Sequence, residues 1–253
     1  MTDTAEKNNN TDKIEPDTGF HLFLVRHGES ANNALPDYQR VPDPALTELG
    51  QQQAEDLAST YQHLPRIDHI IVSPFRRTLQ TAWPLLEARN CRATIWTDIY
   101  EVGGCYSGHE HGKFIGEPGM THSQIAEEFP RYDTPAEIDE QGWYKGRAHE
   151  TWEQADSRAQ IQAQRMQDRF CGRDVVVVCV IHADFKQLLL QKLLPTQPEY
   201  HGPGLPNTSV THLHFNSADK SASVDNVGVQ VPIYADVSHL RDTAISFLSL
   251  IHI

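Results

Sequence analysis

Phe20-His-Leu-Phe-Leu-Val-Arg-His-Gly-Glu-Ser30 is the stretch on which the reading of this chain turns, because an apolar run here ends in Arg26-His27-Gly28. A short apolar run closed by a turn-forming glycine reads as a buried strand feeding a loop. In an α/β sheet the position just past the carboxyl end of a strand is where ligands bind. The same pattern recurs far downstream. Asp174-Val-Val-Val-Val-Cys-Val-Ile181 is apolar throughout after its first residue, as expected of a strand covered on both faces, and it delivers His182.

Between these two runs the chain alternates. Thr47 caps an expected helix over residues 48–64, with Leu49, Ala54, Leu57, Ala58 and Tyr61 at helical spacing and Gly50 in its first turn. His69-Ile-Ile-Val-Ser73 reads as a second buried strand, residues 75–89 as a helix with a kink or boundary at Pro84, and Ala93-Thr-Ile-Trp96 as a short strand before Glu101 and Gly103-Gly104. Residues 152–170 and 185–194 are expected helices; 207–215 and 229–234 are later strands, the second an edge because it contains Pro232. This order predicts an α/β fold, a three-layer α/β/α sandwich with a mostly parallel central sheet.

Residues 105–150 change character to Gly, Pro, His, acids and aromatics, with one helical pattern at 123–129, and are expected to form an inserted lobe over the active site. Within it Trp143 and Tyr144, with Trp152 beyond it, are expected to pack the lobe. Residues 1–18 hold too little apolar surface to be tied to a core and are expected to be a tail, leaving 19–253 as the domain. The apolar end, residues 244–253, either packs on the domain or makes the contact of a homodimer.

Composition narrows the function. A formal net charge of -13 over 253 residues argues against a broad surface for nucleic acid or anionic membranes, so any anion site must be local. The longest apolar run is far short of the roughly 20 residues of a membrane helix. No apolar signal core precedes the domain, and four cysteines without Cys-x-x-Cys spacing read as free thiols, so a cytoplasmic location is expected. His109-Glu110-His111 lacks the i, i+4 spacing of a helical zinc motif, and no metal is expected.

In a parallel sheet His27 and His182 both leave strands at the same edge and can meet. Arg26 adjoins the first, and Arg76-Arg77 opens a helix at that edge. Two guanidinium forks and two imidazoles make a pocket for a tetrahedral dianion, since arginine offers several donors in fixed geometry and keeps its charge. A neutral imidazole there can attack phosphorus, and Glu101 is the carboxyl group available to protonate the departing oxygen.

Leu24-Val-Arg-His-Gly-Glu-Ser30-x-x-Asn33, Leu46-Thr-x-x-Gly50-x-x-Gln53-Ala54, Ser73-Pro-x-x-Arg77-x-x-Gln80-Thr-Ala82, Glu101, His182 and Asn207-Thr-Ser-Val210 together resemble the histidine phosphatase superfamily, in its phosphoglycerate mutase-like branch. The resemblance implies that His27 is the phosphorylated nucleophile, that Arg26, Arg77 and His182 line the phosphate pocket with help from Asn33, and that Glu101 is the proton donor. It implies no cofactor and no metal.

Two departures bear on the substrate. Ala183-Asp184 follows the second histidine where the family usually has glycine, and Val102-Gly-Gly-Cys-Tyr-Ser-Gly108 replaces the usual glycine, tryptophan, glutamate and glycine pattern. The expected activity is a phosphomonoesterase acting on a small phosphorylated metabolite. Phosphoglycerate mutase-type transfer and a non-catalytic phosphate-binding scaffold of the same fold are the alternatives.

Overall fold

The computed structural model describes residues 18–109, 112–202, 205–216, 228–241 and 244–246. The expected tail, save Thr18, and residues 247–253 lie outside the described residues. The deciding stretch is strand β1, Gly19–Arg26, buried along its whole length. A single turn, α1 (Ala31–Ala34), follows, then α2 (Glu48–Tyr61), β2 (His69–Val72), α3 (Arg76–Ala88) and β3 (Ala93–Ile95). The segment after Glu101 holds the hairpin β4 (Tyr106–Ser107) and β5 (Ile115–Gly116), then α4 (His122–Glu128) and β6 (Tyr132–Asp133). The chain continues with α5 (Trp152–Phe170), β7 (Val175–Ile181), α6 (Ala183–Leu193), β8 (Val210–Asn216) and β9 (Val229–Asp236).

Seven strands form one sheet in the order β6-β3-β2-β7-β1-β8-β9. Neighbours from β6 to β1 are parallel, while β8 and β9 are antiparallel. The most apolar strand, β7, lies at the centre, where both faces need covering. Alternate residues divide between two cores. Phe23, Val25, Val72, Val178 and Val180 pack with α2 and α3 on one face, and Leu22, Leu24, Val177, Cys179 and Ile181 pack with α5 and α6 on the other. The result is the three-layer sandwich that the β-α alternation predicts.

Several elements differ from their sequence reading for physical reasons. Pro84 sits inside α3 and does not bound it. α6 begins at Ala183, directly after His182, two residues earlier than its apolar pattern. β8 starts at Val210 because residues 206–209 form a tight turn, with Ser209 N–H donating to the Pro206 carbonyl and Thr208 at φ 52°. A β-branched residue in that region is strained. The buried Lys186 of α6 donates to the Ser209 carbonyl at 2.9 Å and ties this turn to the helix layer. Trp152 does not pack the lobe: it is 57 % exposed on the outer side of α5, whose inner side is Ala155, Ala159, Ala163, Met166 and Phe170. Trp143 and Tyr144 are buried as expected. Residues 244–246 pack on the domain, where the Ala244 carbonyl accepts from Gln53 and that of Ser246 from the Asn207 amide.

Gly50 costs α2 helix propensity, and its reason is contact. Thr47 Oγ1 caps the helix by accepting from Gly50 N–H at 3.0 Å, and a Cβ on Gly50 would stand 1.9 Å from the Glu29 carbonyl oxygen. A Cβ on Gly28 would in turn stand 2.6 Å from the Gly50 carbonyl oxygen. Gly50→Ala is therefore expected to destabilise the fold by roughly 1–3 kcal/mol through overpacking, in spite of alanine's better helix propensity. Urea unfolding checks this; a variant as stable as the parent would mean that the loop after β1 is not pinned here.

Candidate active site

The register of the two central strands brings the histidines together. Arg26 pairs with Ile181 in parallel β1 and β7, so the next residue of each chain is a histidine at the same sheet edge. The rings of His27 and His182 lie 5.2 Å apart at 62°. The backbone of His27 is fixed on both sides: its N–H donates to the Ile181 carbonyl at 2.9 Å, and its carbonyl accepts from Asn207 Nδ2 at 3.0 Å and from Thr208 N–H at 3.2 Å. Because β8 runs antiparallel, its start is what reaches this edge.

Hydrogen bonding sets the tautomer of His27. Nδ1 lies 2.6 Å from the Gly28 carbonyl oxygen, which can only accept, so Nδ1 carries the proton and Nε2 keeps a lone pair. Arg77 Nε donates to that Nε2 at 3.2 Å. Burial, and after it the charges of Arg77 and Arg26, hold the His27 imidazole well below its ordinary pKa. His182 is held low by burial and then by Arg77 and His27. Both rings are neutral at physiological pH.

Arg77, in the first turn of α3, stacks its guanidinium 4.0 Å over the Phe75 ring. Arg76 turns away into a bidentate pair with Glu128, and Asp43 Oδ1 accepts the Arg76 N–H at 2.9 Å at the start of the helix. Arg26 is fully buried, with Nη1 donating to the Leu205 carbonyl. Its Nε and Nη2 are buried and have no partner among the described residues, and neither has His182 Nδ1. His182 Nε2 meets Ser73 Oγ at 2.7 Å. Burial lowers the Arg26 pKa to about 10, so it stays charged. An orphaned buried donor is costly unless an anion completes it.

Glu101 faces the same cavity, a space of about 110 Å³ lined also by His27, Asn33, Arg77 and Asp184. Its Oε1 accepts from Val102 N–H at 2.9 Å and from Phe185 N–H at 3.0 Å, while Oε2 has one longer contact, Asp184 N–H at 3.4 Å. Glu101 thus caps α6, and Oε2 is the freer oxygen. Burial first, then the neighbouring Asp184 carboxylate, raises its pKa to about 7 against the pull of Arg77. Asn33 lines the cavity with its Oδ1 occupied by Ser30 N–H at 3.0 Å and Ser30 Oγ at 3.1 Å, which leaves Nδ2 as its donor.

All six residues singled out in the sequence fall at one edge of the sheet. His27, Arg77, Glu101 and Asn33 form cavity wall, and Arg26 and His182 are fully buried at the same strand ends. Ser73, Asn207 and Asp184 belong to the site without having been singled out for it; the first two lie within quoted motifs and the third is one of the departures. The remaining motif letters hold loops: Gln53 Oε1 accepts from Glu29 N–H, Thr81 Oγ1 from Gly28 N–H and Gln80 Oε1 from Leu46 N–H. Among the described residues no cluster of three or more His, Cys, Asp or Glu side chains could hold a metal, and Glu110 and His111 lie outside them.

The chain is similar to proteins of known name and fold. A phosphoserine phosphatase 1 of Hydrogenobacter thermophilus is 37% identical over 111 residues, 43% of this chain and 46% of that protein. A phosphoglycerate mutase-like protein 4 of Arabidopsis thaliana is 25% identical over 222 residues, 88% of this chain and 87% of that protein. In fold the chain matches a mycobacterial glucosyl-3-phosphoglycerate phosphatase with TM-score 0.57 at 21% identity, over 87% of this chain and 100% of the other. It matches a phosphoserine phosphatase of Entamoeba histolytica with TM-score 0.56, also at 21% identity, over 88% and 100%. The model of the histidine phosphatase superfamily (branch 1) covers residues 22–227, from the first motif through the strand after the second histidine, and the chain belongs to that superfamily.

Proposed function

We propose that the protein is a phosphomonoesterase that hydrolyses a small phosphorylated metabolite through a phosphohistidine at His27. The observation that carries this reading is the bond between His27 Nδ1 and the Gly28 carbonyl, which leaves Nε2 as a neutral nucleophile among cationic donors. The phosphate dianion takes Arg77 and the unpaired donors of Arg26 and His182, with Asn33 Nδ2 at the rim. Nε2 attacks phosphorus in line; the ester P–O bond breaks, and the departing oxygen takes the proton of Glu101. Water then attacks the phosphohistidine, and the Glu101 carboxylate takes its proton. Phosphate leaves and both groups return to their starting states.

Charge build-up on the phosphoryl oxygens is met by fixed, buried donors, the arrangement that stabilises a transition state most. Hydrolysis is favoured over mutase transfer because the cavity opens to solvent past Val41, which is 47 % exposed. A mutase must keep water from the phosphohistidine until a second substrate oxygen arrives. The test is to follow phosphate release from a panel of phosphorylated metabolites beside interconversion of 2- and 3-phosphoglycerate primed with 2,3-bisphosphoglycerate. Release should outpace interconversion by at least about tenfold; the reverse order would make the protein a mutase.

A further inference from the structure

Resting on the phosphomonoesterase reading, we propose that the group esterified to the phosphate is an apolar ring, seated between Tyr106 and Phe114 on one side of the cavity mouth and Val41 and Pro42 on the other. The wall begins at the proposed acid. Glu101 is followed by Gly103, whose φ is +92°, and a Cβ there would meet the Tyr106 ring at 2.7 Å and His149 Nε2 at 2.9 Å. Gly103 thus lets the Tyr106 and His149 rings close directly against the backbone beyond Glu101. The Tyr106 ring contacts those of Phe114 at 4.9 Å and His149 at 4.4 Å, and Phe114 stacks on His149 at 4.4 Å and 20°. An oxygen protonated by Glu101 carries its substituent out along this wall.

The exposed apolar surface points the same way. Of the seven large apolar side chains exposed among the described residues, Leu35, Tyr38 and Val41 fall in one segment and Phe114 and Ile115 in another. Both segments supply the mouth: Val41 and Pro42 line the cavity from the first, and Phe114 packs on cavity-lining Tyr106 from the second. Scattered exposed apolar residues need no explanation, but an exposed Val41 on the cavity wall and an exposed Phe114 against the ring of cavity-lining Tyr106 make an apolar rim. Charge does not select an acidic leaving group, because Arg40 shares the cavity wall with the Asp184 carboxylate. A site built to read a second anion would carry uncompensated cations.

The test compares kcat/KM for 2-phenylethyl phosphate, glycerol 3-phosphate and 3-phosphoglycerate. All three release an aliphatic alcohol, so leaving-group acidity does not decide the order. The ring-bearing ester should be preferred by about tenfold or more. Phe114→Ala should raise its KM about threefold to tenfold more than that of glycerol 3-phosphate, and orthovanadate inhibition should be unchanged. Ile161→Ala, on the far helix α5, should change neither KM. Preference for 3-phosphoglycerate, or an unaltered KM in Phe114→Ala, overturns the proposal while leaving the hydrolase reading intact. Failure to hydrolyse any of these esters, or any other phosphomonoester, removes both.

Discussion

His27→Ala is expected to lower phosphate-ester turnover by more than about 10⁴-fold, as loss of an attacking group does. The other imidazole at the site is poorly placed to substitute. His182 stands 5.2 Å away, and its Nε2 is engaged by Ser73 Oγ at 2.7 Å. The variant should also lose covalent labelling by a ³²P-labelled substrate in a rapid-quench experiment, whereas the parent should carry an acid-labile, base-stable phosphate. Far-UV circular dichroism controls for folding, since His27 is buried and its backbone holds two strands. Labelling that survived the substitution would move the chemistry to another residue, and full activity without label would leave a fold that binds phosphate by some other route.

Glu101→Gln should slow hydrolysis of alkyl esters by about 10²- to 10⁴-fold, the range for general acid catalysis, and should act far less on an ester whose leaving group needs no proton, such as p-nitrophenyl phosphate. The pH dependence carries the same claim with a definite sign. Burial and the Asp184 carboxylate raise the Glu101 pKa to about 7, and the protonated form is the one that donates. Its population falls as pH rises through that value, so kcat/KM for an alkyl ester should fall about tenfold per unit above it. The glutamine variant should lack this alkaline limb. A parent profile that stayed flat across neutral pH would show that Glu101 only caps α6 through the Asp184 and Phe185 amides.

Much of the site was legible because its residues sit where local signals are strongest. His27 and His182 each end an apolar run, and a run buried on both faces must be apolar at every position, so β1 and β7 stand out without their neighbours. Arg77, as against Arg76, and Asn33 are singled out only by the resemblance of their motifs to the superfamily. What escaped were contacts made across the chain. Ser73 and Asn207 are ordinary polar residues until folding sets them against His182 and the His27 carbonyl. Two-residue strands such as β6 have no periodicity to read, and they form only because β3 offers an unpaired edge. Trp152 was expected to pack the lobe with Trp143 and Tyr144, but it opens α5 on the exposed side, while the inward stripe of that helix is alanines, Met166 and Phe170.

The amino-acid sequence by itself determined the layered α/β plan and the identity of the residues gathered at its edge, since apolar patterning and motif order act over a few residues at a time. Only the tertiary structure decided the reversed direction of β8, the tautomer of His27, the near-neutral acidity of Glu101 and the ring-lined mouth. The direction of β8 and the acidity of Glu101 depend on groups 83 to nearly two hundred positions apart, and the His27–Gly28 bond and the Tyr106–Phe114 contact, though local, need backbone conformations that only the folded chain imposes. That outcome is set by the packing of the whole chain and leaves no mark on any short stretch of it.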